Sequence, residues 1–398
     1  MSIQNFYYTV TSTRSFFIQM VFTLNAIYYV MKADLNALEL VLIGTIMEVS
    51  VLLFEMPTGI FADHFGRKKS LALGTFIIGL AHVLEGSMPE FWAIAVASAM
   101  WGIGWTFISG AEQAWIADEL DGAYLETTFF RGSQFSSFAR FSAILASVGI
   151  AMLWSVQVAI LIAGAMLIGL AVWAYVKLPE TKFVKITREI GVSGVAHMMT
   201  TIQSGASQIR GNTVLVSIAM VTLFWGLASE GFDLLYGAHF ITDYQLSESE
   251  SIYWFGAFYA VAFLLNIVVL RVVEKNVNGR YAEVLILANT VLIGAMMVFA
   301  WTGHFWLAVA MYWVASALRN VNYPLMSIIT NERIESKGRA TTLSMFGQLD
   351  AFGQIAGGPI VGLLALYTSL SGGITASALL ILPVIFFLWR MKGRMTVS

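Results

Sequence analysis

The 398-residue chain contains no cysteine, which excludes disulfides, thiolate metal sites, iron–sulfur ligation and a cysteine nucleophile. Charge is scarce too: 12% of residues are charged, against about 25% in soluble domains. The net charge is −2, and no basic run is interleaved with aromatics, so nucleic acid is excluded as a partner. No Walker-type glycine loop and no His/Asp/Glu cluster at metal-ligand spacing occurs, so an enzyme embedded in the membrane has little support and neither metal nor organic cofactor is expected. The N-terminal stretch MSIQNFYYTVTSTR lacks the basic-then-apolar pattern of a cleaved signal, which leaves targeting to the first apolar segment.

What the chain has instead is apolar length. Hydrophobic residues make up 58%, mean hydropathy is +0.76, and the apolar residues fall in runs of roughly 20, the span of a hydrocarbon core about 30 Å thick. Breaks at charged or turn-rich positions delimit twelve segments: 14–32, 38–61, 70–88, 90–118, 129–153, 154–177, 213–241, 250–272, 281–302, 304–331, 338–366 and 370–390. They are too long for barrel strands and do not alternate in polarity, so the expected fold is all-α and membrane-spanning. With both termini cytoplasmic, only Lys32 of the 22 basic residues falls on the opposite side, while Arg140 and Arg319 lie inside spans. The positive-inside rule supports that orientation, with Arg14 counted among the cytoplasmic charges.

Six spans lie on either side of one polar stretch, which divides the chain into bundles 1–178 and 213–398 joined by a linker, 179–212. Within the linker Ile190, Val195, Met198, Met199 and Ile202 suit the apolar face of a short surface helix, or the stretch is a plain tether. The halves echo each other: Asp63-His64-Phe65-Gly66-Arg67 has a faded counterpart in Asn276-Val277-Asn278-Gly279-Arg280. Such repeats build many carriers around a site near the bilayer midplane.

Between the second and third spans the chain reads Gly59-Ile60-Phe61-Ala62-Asp63-His64-Phe65-Gly66-Arg67-Lys68-Lys69. This resembles the signature loop of the major facilitator superfamily, with His64 where a stronger base is usual. Together with the six-plus-six layout the resemblance covers the whole chain. Gly59 suits a close helix contact and Gly66 a tight turn. The resemblance implies that Asp63 meets the N-terminus of the eleventh helix and that Arg67 pairs with Asp118, as parts of a cytoplasmic gate. Glu112, near the same end of the fourth span, joins that network.

Ionisable residues within spans are costly and usually functional. Glu48 and Glu55 share one face of the second span with Gly44 and Gly59; the fifth carries Arg140, the seventh Glu230 and Asp233, the tenth Arg319 beside Asn320 and Asn322, and the eleventh Asp350 and Gln354. Arginine keeps its proton and needs an acidic or substrate partner, whereas a desolvated carboxylate can exchange one. Glu48, Glu230, Asp233 and Asp350 are therefore the proton-coupling candidates, against the alternative of static ion pairs such as one made by Arg140. The layout also resembles bacterial drug-efflux branches of the superfamily, including tetracycline and macrolide exporters. It departs from them in lacking an arginine in the middle of the fourth span and a glycine–proline–glycine motif in the fifth. The expectation is proton-driven export of amphipathic molecules by a monomer in a cell membrane, the bacterial inner membrane by analogy, with the proton gradient as energy source. Uptake of a small anion held by Arg140 and Arg319 is the alternative.

Overall fold

The computed structural model describes residues 1–120, 122–183, 185, 200, 203, 205–207, 209–334 and 339–395. The residues proposed for a linker helix, Ile190, Val195, Met198, Met199 and Ile202, lie outside the described residues, as does the approach to the eleventh helix at 335–338. Among the described residues every regular element is helical. The order is α1 (Ile3–Ile27, continued by a π turn Tyr28–Lys32), α2 (Ala37–Phe65), α3 (Arg67–Ser87), α4 (Phe91–Glu119), α5 (Gly122–Leu153) and α6 (Val156–Lys177). There follow α7 (Thr213–Asp243), α8 (Glu248–Asn276), α9 (Tyr281–Trp301), α10 (Phe305–Arg333), α11 (Arg339–Tyr367), α12 (Leu370–Leu380) and α13 (Leu382–Met395).

Polar side chains at the connections fix where the helices start. Ser155 accepts from the Val158 amide at 3.2 Å, and Asn212 from those of Val214 and Leu215 at 3.0 and 3.2 Å. Each satisfies donors that the first helical turn leaves free. Among the described residues ten helices, α12 and α13 counted as one, are long and apolar enough to cross a bilayer. The two that fall short, α1 and α10, are rich in polar side chains.

The first helix corrects the sequence reading. It starts at Ile3 rather than near residue 14, which carries Arg14 into the helix body, where it is buried at 5% exposure. Arg14 is therefore a packed residue and not a topology-setting charge at a span end.

Two compact units form. Unit 1 comprises Met1–Leu35, Ile46–Gly194 and Ser247–Gly256; unit 2 comprises Asn36–Thr45, Val195–Leu246 and Ala257–Ser398. The units exchange the first turns of α2 and α8 relative to a simple division at the linker. In unit 1, α3 packs on α4 and α6, and α1 on α5 and α6. In unit 2, α7 packs on α11, α12 and α13, and α9 on α10.

Candidate functional site

In unit 1 the signature loop is a tight joint. Gly66 sits at φ 109°, a conformation that strains any residue with a Cβ, and it begins α3 directly after α2. Arg67 forms an ion pair with Asp118 on α4 and donates to the Ala114 carbonyl at 2.8 Å. The strand of chain leaving α6 closes the joint from the other side. Glu180 accepts from the Lys68 amide at 3.0 Å, and Trp115 donates from Nε1 to the Pro179 carbonyl at 2.7 Å. Glu119 accepts from the Thr181 amide at 2.6 Å, the Thr181 hydroxyl at 2.7 Å and the Lys182 amide at 2.9 Å. Sequence reasoning missed Glu119 and Glu180; the run Glu119 at a helix end and Pro179-Glu180-Thr181 after another was the available signal.

Two expectations for the network change, and a third is not tested by the described residues. Glu112 does not join Arg67: its carboxylate holds Arg14 at 2.5 and 2.6 Å. Gly59 makes no close contact, since a Cβ built there meets nothing within 4 Å among the described residues. Asp63 is partnered, but its expected approach to the start of α11 concerns residues outside the described set. Glu55 lies on an exposed face of α2, and Glu48 is partly buried and partnered. Arg140 is exposed on α5 and makes no ion pair among the described residues, so the static pair considered for it is not formed there.

Unit 2 contains a cavity of about 270 Å³ lined by Trp225, Phe232, Asp233, Tyr236, Tyr312, Ser316, Arg319 and Asn320. The α7 positions 225, 232, 233 and 236 recur at helical spacing, and α10 supplies 312, 316, 319 and 320 in the same way. Arg319 forms an ion pair with Asp233. Its guanidinium carbon also lies 5.7 Å from the Trp225 ring and 5.3 Å from that of Phe232, within cation–π range. Tyr236 stacks on Tyr312 at 4.8 Å and donates to the Tyr259 hydroxyl at 2.9 Å. One wall is thus aromatic and the other carries charge and amide groups.

The neighbours of Arg319 divide by helical phase. Asn320 lines the cavity, while Asn322 is buried away from it and accepts from Asn289 on α9 at 2.7 Å. Pro324 lies inside α10 without breaking it. Having no N–H, it leaves the Asn320 carbonyl without its usual helical donor, an additional acceptor at the cavity helix.

The remaining unit 2 candidates sit elsewhere. Gln354 donates to Asp350 at 2.9 Å, and the Asp350 backbone lies against Gly226 where α11 crosses α7. Gly353 and Gly357 continue that seam against the backbone of Leu223 and Leu227, a close packing that only such small residues permit. Glu230 is 8% exposed and reaches Gly44 from α7, so it is not a cavity group. Asp233 and Arg319 are the pair that the fold brings together at an open site.

The features so far describe a helical chain of apolar, membrane-length spans with a polar–aromatic cavity and a pinned signature loop. The chain matches the Major Facilitator Superfamily over residues 10–275 and belongs to that family of membrane transporters. It is 22% identical over 373 residues to the uncharacterized MFS-type transporter YxaM of Bacillus subtilis (strain 168), covering 91% of this chain and 89% of that protein. Among solved structures it is similar in fold to the nucleoside transporter NupG, with a TM-score of 0.79, 12% identity and coverage of 98% and 99%. A bacterial homolog of the human lysosomal transporter Spinster, inward-facing and unoccupied, gives a TM-score of 0.75, 15% identity and coverage of 99% and 97%. At these identities the solved structures speak for the fold alone.

Proposed function

We propose that this transporter exports flat, amphipathic molecules in exchange for protons, spanning a bacterial inner membrane twelve times as a monomer with both termini in the cytoplasm. The observation that carries the reading is the unit 2 cavity, where the Asp233–Arg319 pair faces a wall of Trp225, Phe232, Tyr236 and Tyr312. A flat ring stacks on such a wall for about 0.5–1.5 kcal/mol beyond its buried area. Its polar edge then meets Ser316, Asn320 and the ion pair.

Exchange follows from the chemistry of the carboxylate. Deprotonated Asp233 accepts from Arg319 and has room for a polar or cationic group of the solute, since its side chain is 53% exposed. A proton on Asp233 removes its negative charge and competes with that group, so solute and proton take turns at one carboxylate. Arg319 cannot compete for the proton because it stays charged.

Proteoliposomes with an inside-acid gradient and a pH-sensitive dye test this. Cationic amphiphiles and tetracycline-like compounds are expected to release the trapped protons, and Asp233→Asn to abolish the response. Release that persists in Asp233→Asn would overturn the assignment of that carboxylate.

Arg140 supports a second reading. It is a cation in α5 with no ion pair among the described residues, as expected of a group reserved for an anionic solute. Proton movement driven only by small organic anions, and lost in Arg140→Lys through the missing guanidinium fork, would favour uptake of an anion over export.

A further inference from the structure

At the end of α3 remote from the signature loop, unit 1 buries an acid and a base that no step above uses. His82 is 2% exposed and Glu85 4%. His82 Nδ1 lies 2.7 Å from Glu85 Oε1, and the Tyr29 hydroxyl donates to Oε2 at 3.1 Å. The Tyr28 hydroxyl donates to the Glu85 backbone carbonyl. Both tyrosines ride on the π turn that extends α1, a rare geometry that is concentrated at functional positions. The second ring nitrogen of His82, Nε2, is buried with no hydrogen-bond partner.

We propose that His82 and Glu85 form a proton-binding site in unit 1, separate from the Asp233 cavity. The case rests on charge. With His82 neutral and Glu85 ionised, the cluster holds a net negative charge away from water, which is expensive without a cation to offset it. Among the described residues no packed element supplies that cation. α4 has no ionisable side chain from Phe91 to Ala111, and α6 has none from Val156 to Ala174. The body of α1 has none from Ser15 to Ile27, and Glu90 in the turn beyond α3 is exposed. Lys32, on the π turn itself, is held by Glu248 at 2.7 Å.

One added proton neutralises the cluster without moving a heavy atom. Neutral His82 already donates its Nδ1–H to Oε1, so the added proton goes to Nε2 and leaves an imidazolium–carboxylate pair, with the Tyr29 hydrogen bond kept. The site can therefore load and unload within one geometry, as a relay requires and a purely structural histidine does not. Tyr29 links the charge of Glu85 to the turn that leads from α1 into α2. The inference holds whichever solute is carried.

Proton uptake by the purified full-length protein in detergent, without solute, provides the test. A lightly buffered pH jump followed with an indicator dye counts the protons bound between alkaline and mildly acidic pH. Glu85→Gln is expected to bind about one proton fewer per chain than the wild type, whereas His82→Gln leaves a lone buried carboxyl that still takes the proton and is expected to shift the midpoint only. Tyr29→Phe keeps both titrating groups and is expected to change the midpoint of uptake but not the count. A folded Glu85→Gln that binds as many protons as the wild type would overturn the proposal. If Glu85→Gln fails to fold, an unchanged midpoint in Tyr29→Phe would overturn it equally. Because no solute or transport enters the measurement, its outcome is independent of the Asp233 reading.

Discussion

Besides the Arg67–Asp118 pair of the signature loop, each unit pairs an arginine in a helix body with a carboxylate on another helix, and these two pairs differ in what surrounds them. Arg14 and Glu112 in unit 1 have side chains 6% and 18% exposed. They adjoin a core that contains Tyr7, Val10, Ile108 and Ala111. Arg319 and Asp233 in unit 2 are 14% and 53% exposed and form part of a cavity wall. The chemistry is the same, so the difference lies in access. A sealed pair has no other partner to choose and serves as a strut, whereas a pair open on the carboxylate side can trade its arginine for a proton or a solute.

The largest test of that contrast is to break the sealed pair. Arg14→Met strands Glu112 as a part-buried charge, a change that typically costs about 3–5 kcal/mol. Thermal unfolding in detergent should show a clear loss of stability. The double replacement Arg14→Met with Glu112→Leu is expected to recover most of it, because matched apolar groups remove the desolvation cost of both charges. A double variant no more stable than the single one would mean that the pair does more than hold α1 to α4.

The cavity depends in turn on how firmly α7 is held. A Cβ at Gly357 would run into the Leu227 backbone, and neither backbone can swing aside as a side chain would. Gly357→Ala is expected to destabilise unit 2 by about 1–3 kcal/mol through overpacking. Gly59→Ala in unit 1, with open space around it among the described residues, should change unfolding little. Similar losses in the two variants would show that Gly59 packs against something outside the described set.

Breaking the open pair should separate function from stability. Asp233→Asn removes the charge but keeps the shape, and its amide oxygen can still accept from Arg319 at the open cavity, so folding should lose less than in Arg14→Met. Proton-driven transport is nevertheless expected to fall by more than tenfold while unfolding shifts only slightly. A large loss of stability would move Asp233 into the class of Glu112.

These differences explain what was legible beforehand. The span pattern, the signature loop and the candidates Asp233 and Arg319 follow from periodicity and from the rarity of charge in apolar segments. Arg67 and Asp118 were marked by the loop's resemblance to a family motif. Arg14 was misplaced because the polar first turns of α1, Asn5 through Ser12, read as a tail rather than as helix. Once Arg14 was put at a span end, its claim on Glu112 was hidden. His82 and Glu85 were passed over because they lie near a predicted span boundary, where charge is commonplace. Only the packing of Tyr28 and Tyr29 over them reveals their burial. Which arginine is paired and which is free is a matter of side-chain direction, and spacing along the chain does not fix it.

The smallest predicted effect concerns the aromatic wall. Trp225 lies 5.7 Å from the Arg319 guanidinium, and Phe232 lies 5.3 Å away. Trp225→Leu removes one of two ring faces, at a cost of about 0.5–1 kcal/mol in cation–π attraction. Phe232 still steadies the arginine, so the ion pair should survive. A stacked solute would lose its contact with the larger ring, and the concentration for half-maximal proton release should rise by about two- to fivefold, on the arithmetic that 1.4 kcal/mol is tenfold. The maximal rate should stay nearly constant, since Asp233 is untouched. If the maximal rate falls instead, Trp225 acts through Arg319 on the proton step. The open pair would then depend on its aromatic neighbours as much as the sealed pair depends on burial.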